Sequence, residues 1–189
     1  MNQTDWIIVA VVVVAIILVA GFVWSRRRRS EHLRDQFGPE YDRAVEASGD
    51  RSKAEAELAE REKRVQKLNI RPLEPAERRE FLERWSDVQA RFVDDPAGAV
   101  AFADALLGEV MKARGYPVSD FEQRAGDISV DHPIVVEHYR TAHDIAVRHE
   151  HGQASTEDLR QAMIHYRALF DNLVGADAPA AREPETAHH

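Results

Sequence analysis

Two patterns of apolar residues divide this chain. From Trp6 to Trp24 the sequence WIIVAVVVVAIILVAGFVW is solid: 18 of its 19 residues are apolar, and none is charged or proline. At about 1.5 Å per residue, a helix of that length covers roughly 28 Å, close to the hydrocarbon thickness of a bilayer. Between Ser30 and Val174 the apolar residues recur at steps of three and four, the period of a helix with one buried face. No stretch there alternates polar and apolar residues as a half-buried strand does. The pattern predicts an all-α protein: a single N-terminal transmembrane helix followed by a soluble, bundle-like domain of about five long helices and one short one.

The breaks can be read residue by residue. Leu33, Phe37, Tyr41 and Val45 repeat at four-residue steps up to Gly49-Asp50. Arginines do not break a helix, so this first helix can continue the apolar block across Ser25. Ser52 and Glu55 form a Ser-x-x-Glu capping box for a restart. Ala54, Leu58, Arg61, Val65 and Leu68 follow as its stripe, with Glu57/Arg61 and Glu60/Arg64 as i,i+4 pairs. Pro72 and Pro75 mark a corner. The next helix spans about 76–93 with Phe81, Trp85, Val88 and Phe92 inward, and Trp85 is its central core residue. Asp95 caps and Pro96 opens a helix to Arg114, with Val100, Ala103, Leu107 and Val110 inward and Gly115 at its end.

Ser119 with Glu122 predicts another capping box, for a short helix that Gly126 stops. Asp131 caps a helix over about 132–150, with Ile134, Val135, Tyr139, Ala142, Ile145 and Ala146 inward and Gly152 closing it. Ser155 and Asp158 open the last helix, in which Leu159, Met163, Tyr166, Phe170 and Leu173 form the stripe. The expected organisation is a short tail over 1–5, an anchor over 6–24 and a basic juxtamembrane segment over 25–30. Membrane-proximal amphipathic helices over 31–70 follow, then a helical bundle over 71–174 and a disordered tail over 175–189, which is rich in Ala and Pro.

Charge decides how the block is read. Arg26, Arg27, Arg28 and Arg29 follow it directly, whereas residues 1–5 carry one acidic and no basic side chain. A cleaved signal peptide has its positive charge before a shorter apolar core, so the order here predicts an uncleaved single-pass anchor. The positive-inside rule then places the C-terminal domain in the cytoplasm of a bacterial inner membrane, with an extracytoplasmic or secreted domain as the alternative. The four arginines set topology and carry a second candidate role, attraction to anionic lipid head groups, at about 1 kcal/mol each. Residues 30–174 hold 20 Lys and Arg against 29 Asp and Glu, a net charge of −9, which disfavours nucleic acid as a partner. The absence of cysteine excludes a disulfide scaffold, a thiol nucleophile and a Cys-ligated metal.

Candidate chemistry is sparse. Six histidines, 132, 138, 143, 149, 151 and 165, crowd the last two long helices and their connection. The helical wheel places His138 on the apolar face, His149 on its flank and His143 pointing away. No His-x-x-x-His is present, so no metal or other cofactor is expected. No Gly-x-Ser-x-Gly or phosphate loop occurs either, and no catalytic residue is assigned. Trp85 and His138 are the candidate lining of a pocket between helices. Arg78, Arg79, Arg84 and Arg91 alternate with Glu77, Glu80, Glu83 and Asp87, a solvated face or a docking surface for a charged partner.

The words FGPEYDR (37–43), KAEAELAEREKRV (53–65), RFVDDPAGAV (91–100), RGYP (114–117) and HYRALF (165–170) resemble an uncharacterised family of short bacterial membrane or secreted proteins. The resemblance covers most of residues 33–174. It implies a bacterial origin and one defined domain, and it carries over no activity, ligand or site residue. The function expected is a membrane-tethered, non-enzymatic helical module for protein interaction or scaffolding. The alternative is a ligand-binding or sensory domain with its pocket near Trp85 and His138.

Overall fold

The computed structural model describes residues 3–117 and 119–175, with the side chains of residues 3–12, 14, 15 and 22 outside that description. The expected disordered tail likewise lies outside the described residues beyond Gly175. Among the described residues there are eight helices and no strand. They are α1 (Gln3–Phe37), α2 (Pro39–Ser48), α3 (Arg51–Val65), α4 (Pro75–Arg91), α5 (Pro96–Arg114), α6 (Phe121–Asp131), α7 (Val136–Glu150) and α8 (Thr156–Gly175). The all-α expectation holds. The transmembrane part of it is not supported: among the described residues no helix is long and apolar enough to cross a membrane. Of the apolar block itself, residues 6–12, 14, 15 and 22 fall outside the side-chain description. The chain divides into two compact units, Met1–Ala59 and Glu60–His189, with the division inside α3.

In the first unit, α1 runs unbroken from the apolar block through the four arginines. It ends at Gly38, where φ is +49°, and Pro39 opens α2. The four-residue repeat across Leu33, Phe37, Tyr41 and Val45 predicts a single helix here. Proline corrects it, because its ring disfavours helical backbone at the preceding residue and it donates no hydrogen bond. Leu33, Phe37 and Tyr41 stay buried on both sides of the turn, as do Ala54 and Leu58 of α3. The start of α3 is a second correction. The Asp50 carboxylate, not Ser52, accepts the exposed backbone N–H groups, from Ser52 at 2.7 Å and Lys53 at 3.2 Å. Glu55 points across to α1 instead of back to the cap.

In the second unit, α8 packs against both α5 and α7, with α4 on α5 and α6 on α7. Trp85 of α4 stacks on Phe170 of α8, their ring centroids 4.6 Å apart and the planes 17° from parallel. Around them Phe81, Val100, Leu107, Val110, Ile128, Tyr139, Leu159, Tyr166 and Leu173 are buried as one continuous cluster. The predicted caps at Asp95 and Ser155/Asp158 are present: Asp95 accepts from Gly98, and Ser155 and Asp158 bond reciprocally. Arg64 does not complete a pair along its own helix. It places Nε and Nη2 2.8 and 2.6 Å from Oδ1 of buried Asp127 on α6.

The region between α5 and α7 departs most from expectation. Asp120, not Ser119, caps α6, accepting from Gln123 at 2.9 Å. Gly126 does not stop that helix, which continues to Asp131. A glycine inside a helix costs about 1 kcal/mol against alanine, which the burial of Ala125, Ile128 and Val130 outweighs. Asp131 is therefore the last residue of α6, not the cap of the next helix, and it accepts from Tyr116 Oη at 2.7 Å. Accordingly α7 begins at Val136, and Ile134, expected inward, is 75% exposed in the connection.

Candidate functional site: an arginine cleft between α1 and α3

Beyond the apolar block, α1 presents Arg27, Ser30 and Arg34 at steps of three and four, one face of a helix. The first turns of α3 bring Arg51, Ser52 and Glu55 opposite them. Between the two helices lies a cleft of about 700 Å³, lined by these six residues together with Val23, Arg26 and Glu31.

Glu55 organises it. The residue is 8% exposed, and its Oε1 accepts from Ser30 Oγ at 2.6 Å, Tyr41 Oη at 2.8 Å and Arg51 Nε at 2.8 Å. Burial is the largest single influence and pushes this carboxyl up. Donation from Ser30, Arg51 and Tyr41 together outweighs it and holds the carboxyl below its ordinary range. The Tyr41 phenol moves the other way, raised by burial and by donating to Glu55. A second stitch joins the helices nearer the block, where Arg26 Nη2 donates to Ser52 Oγ at 2.9 Å.

The four arginines placed together by the sequence now separate. Arg26 and Arg27 line the cleft, and Arg28 and Arg29 do not. Arg28 lies over the Trp24 ring, 3.9 Å from its centroid. Arg27 and Arg34 have no carboxylate partner among the described residues, and Arg34 sits 5.2 Å from the Tyr41 ring centroid. Four guanidiniums face the two carboxylates Glu31 and Glu55, a formal surplus of two positive charges. Guanidinium groups with free N–H forks suit bidentate recognition of phosphate or carboxylate. Ser30, Arg34, Arg51, Ser52 and Glu55 were not among the site residues expected from sequence. The 27–30–34 spacing was a usable signal for the first two.

Trp85 and His138 do not meet. Trp85 lies on Phe170, while His138 Nδ1 stands 2.9 Å from His165 Nδ1, so each has a different partner on α8. Neither lines either cleft described here. Burial, and then the neighbouring His138, lower the His165 pKa. His143, expected to point away, stacks on Phe121, the first residue of α6, with ring centroids 3.5 Å apart. Among the described residues no group of three or more His, Asp or Glu is arranged to hold a metal ion. Half-buried Asp104 on α5, electrostatically coupled to the buried Tyr139 and Tyr166, was also missed. Its Oδ1 and both phenol hydroxyls lack a hydrogen-bond partner, and burial and then the Asp104 carboxylate raise both phenols.

The charge alternation on α4 is partly structural. Arg84 forks onto Glu109 of α5 at 2.7 and 2.8 Å, and Arg91 lies 4.1 Å above the ring of half-exposed Phe102. These residues edge a groove of about 450 Å³ between α4 and α5. Arg71 forks onto Glu77 and, with the Glu74 backbone N–H, lowers its carboxyl to about 2. No protein-family model, curated protein or solved structure matches the chain.

Proposed function

We propose that this protein is a single-pass, membrane-tethered helical module that holds its C-terminal helical unit at the cytoplasmic face of a bacterial membrane for a protein partner. It acts by binding, without catalysis. The observation that carries this reading is the continuity of α1, one helix from Gln3 to Phe37 with no break between the apolar block and Arg34. A continuous rod fixes the arginines at a set height from the apolar block, whereas a flexible hinge would not. Tethering raises the local concentration of the attached unit near membrane-bound partners. The groove beside Phe102, with its Arg84–Glu109 and Arg91 edges, supplies the mixed aromatic and charged surface that protein interfaces favour.

A reporter fused after Val174 tests the topology. We expect activity from a reporter that works in the cytoplasm and none from one that needs the periplasm. Periplasmic activity, or a mature chain starting near Gly21, overturns the reading. A second reading, a sensory domain with a polar ligand between α5, α7 and α8, draws on the unpartnered oxygens of Asp104, Tyr139 and Tyr166.

A further inference from the structure

We infer that the cleft between α1 and α3 is a binding site for a phosphate-bearing anion, presented by the headgroup of an anionic phospholipid. The lipid source rests on the membrane-tethered reading above. The phosphate chemistry stands on the cleft alone.

The positive charge is arranged, not diffuse. Glu55 is matched at close range by Arg51, Tyr41 bonds both, and Ser30 donates to Glu55, so this carboxylate is not left to repel an anion. Arg26 is oriented by Ser52. Because Ser52 Oγ accepts that bond, its hydroxyl proton is left to donate into the cleft. Arg27 and Arg34, one above the other on α1, line the same space without a carboxylate partner among the described residues. An anion entering here meets three guanidiniums and a hydroxyl, all donors, with only Glu31 opposing. Charge-assisted bonds of this kind are roughly twice as strong as neutral ones, and guanidinium matches the spacing of phosphate oxygens.

Height points to lipid. Val23, within the apolar block, forms one end of the cleft. By helix rise, Arg26 and Arg27 lie about 3 and 4.5 Å beyond Trp24, Ser30 about 9 Å and Arg34 about 15 Å. The headgroup layer on each side of a bilayer is roughly 5–8 Å deep. The cleft therefore opens at headgroup depth and extends one or two turns above it, room for a headgroup that projects from the surface. The net charge of −9 over residues 30–174 repels an extended polyanion while leaving this local patch for one or two phosphates.

The test uses the full chain in uncharged detergent. Three probes are titrated by calorimetry: inorganic phosphate, dihexanoyl phosphatidylglycerol and dihexanoyl phosphatidylcholine. We expect saturable binding of the anionic lipid, weaker binding of inorganic phosphate and none of the zwitterionic lipid. Arg27→Gln with Arg34→Gln should weaken binding about ten-fold or more, the loss expected when charge-assisted bonds are removed. Arg28→Gln with Arg29→Gln removes the same charge beside the cleft but not from its lining, and should weaken binding clearly less than the Arg27 and Arg34 pair does. A third variant, Arg27→Lys with Arg34→Lys, keeps charge and fold and should retain part of the affinity. Equal weakening by the two glutamine pairs, or no saturation with any probe, overturns the site. Inorganic phosphate binding as tightly as the anionic lipid overturns the lipid source. Neither result depends on the topology reporter, so a failed site and a failed tether are told apart.

Discussion

Glu55 takes three donors on one oxygen, from α1, α2 and its own helix, in a position that water scarcely reaches. An ionised carboxylate there is tolerable only while fully bonded. Its folded-state value lies below the ordinary 4.5, so its contribution is complete above that pH and is lost as the pH falls through the lower folded value. We expect Glu55→Gln to reduce amide protection in α2 at neutral pH. The gap between variant and wild type should then close on acidification below about 4.5. Hydrogen exchange measured along that pH range checks it, and a gap independent of pH refutes it. In the second unit the Asp127 carboxylate, 1% exposed, is held by Arg64 of α3, and its other oxygen has no partner. A short-range rule favours Glu60 for Arg64, because i,i+4 neighbours are visible in sequence. The long-range need of a buried carboxylate is not.

Helix ends divide into those dictated locally and those dictated by packing. Gly115 is local: φ is +99°, its N–H and that of Tyr116 turn back onto Lys112 and Met111, and Asn69 passes close by. A Cβ at this position would run into the Asn69 carbonyl oxygen, whereas a Cβ at Gly152, also left-handed at φ +69°, meets nothing within 4 Å. Gly152→Ala should therefore cost about 1 kcal/mol, from backbone strain alone. Gly115→Ala should cost about 3 kcal/mol or more, because the neighbouring chain must also move. Urea denaturation of the two variants checks the difference, and equal losses would show that the Asn69 segment yields freely. The same division explains what was legible in the sequence. Asp95, Gly115, Ser155 and the stripe from Leu159 to Leu173 carry their own signals, and α5 and α8 lie where those signals put them. Gly126 and Asp131 carry equally good local signals that burial of α6 overrides. The arginine cleft was legible only in half. The basic run on α1 stands out, but Arg51, Ser52 and Glu55 join it through a turn at Gly38-Pro39 and the Asp50 cap.

At the scale of the whole chain, the buried apolar cluster of the second unit draws on residues from Phe81 to Val174, with Leu68, Ile70 and Leu73 packed against it. Among the described residues, none of that cluster comes from the Met1–Ala59 unit. A domain of this size with its own core is expected to fold alone. The Arg64–Asp127 and Arg71–Arg114 bonds also begin after residue 60. A fragment over residues 60–175 should therefore be soluble and unfold in one cooperative step. Trp85 is the sole tryptophan of that fragment, so its emission reports on the core directly. With its ring stacked on Phe170 and 4% exposed, it should emit as a buried indole. Urea should shift that emission to the solvent-exposed form in the same transition that removes the far-ultraviolet helix signal. Coincident curves mean that the block, the arginines and the cleft attach to a domain that needs none of them to fold. Emission that is already solvent-like without denaturant, or helix loss that precedes the tryptophan change, would mean that the Met1–Ala59 unit is required for this core.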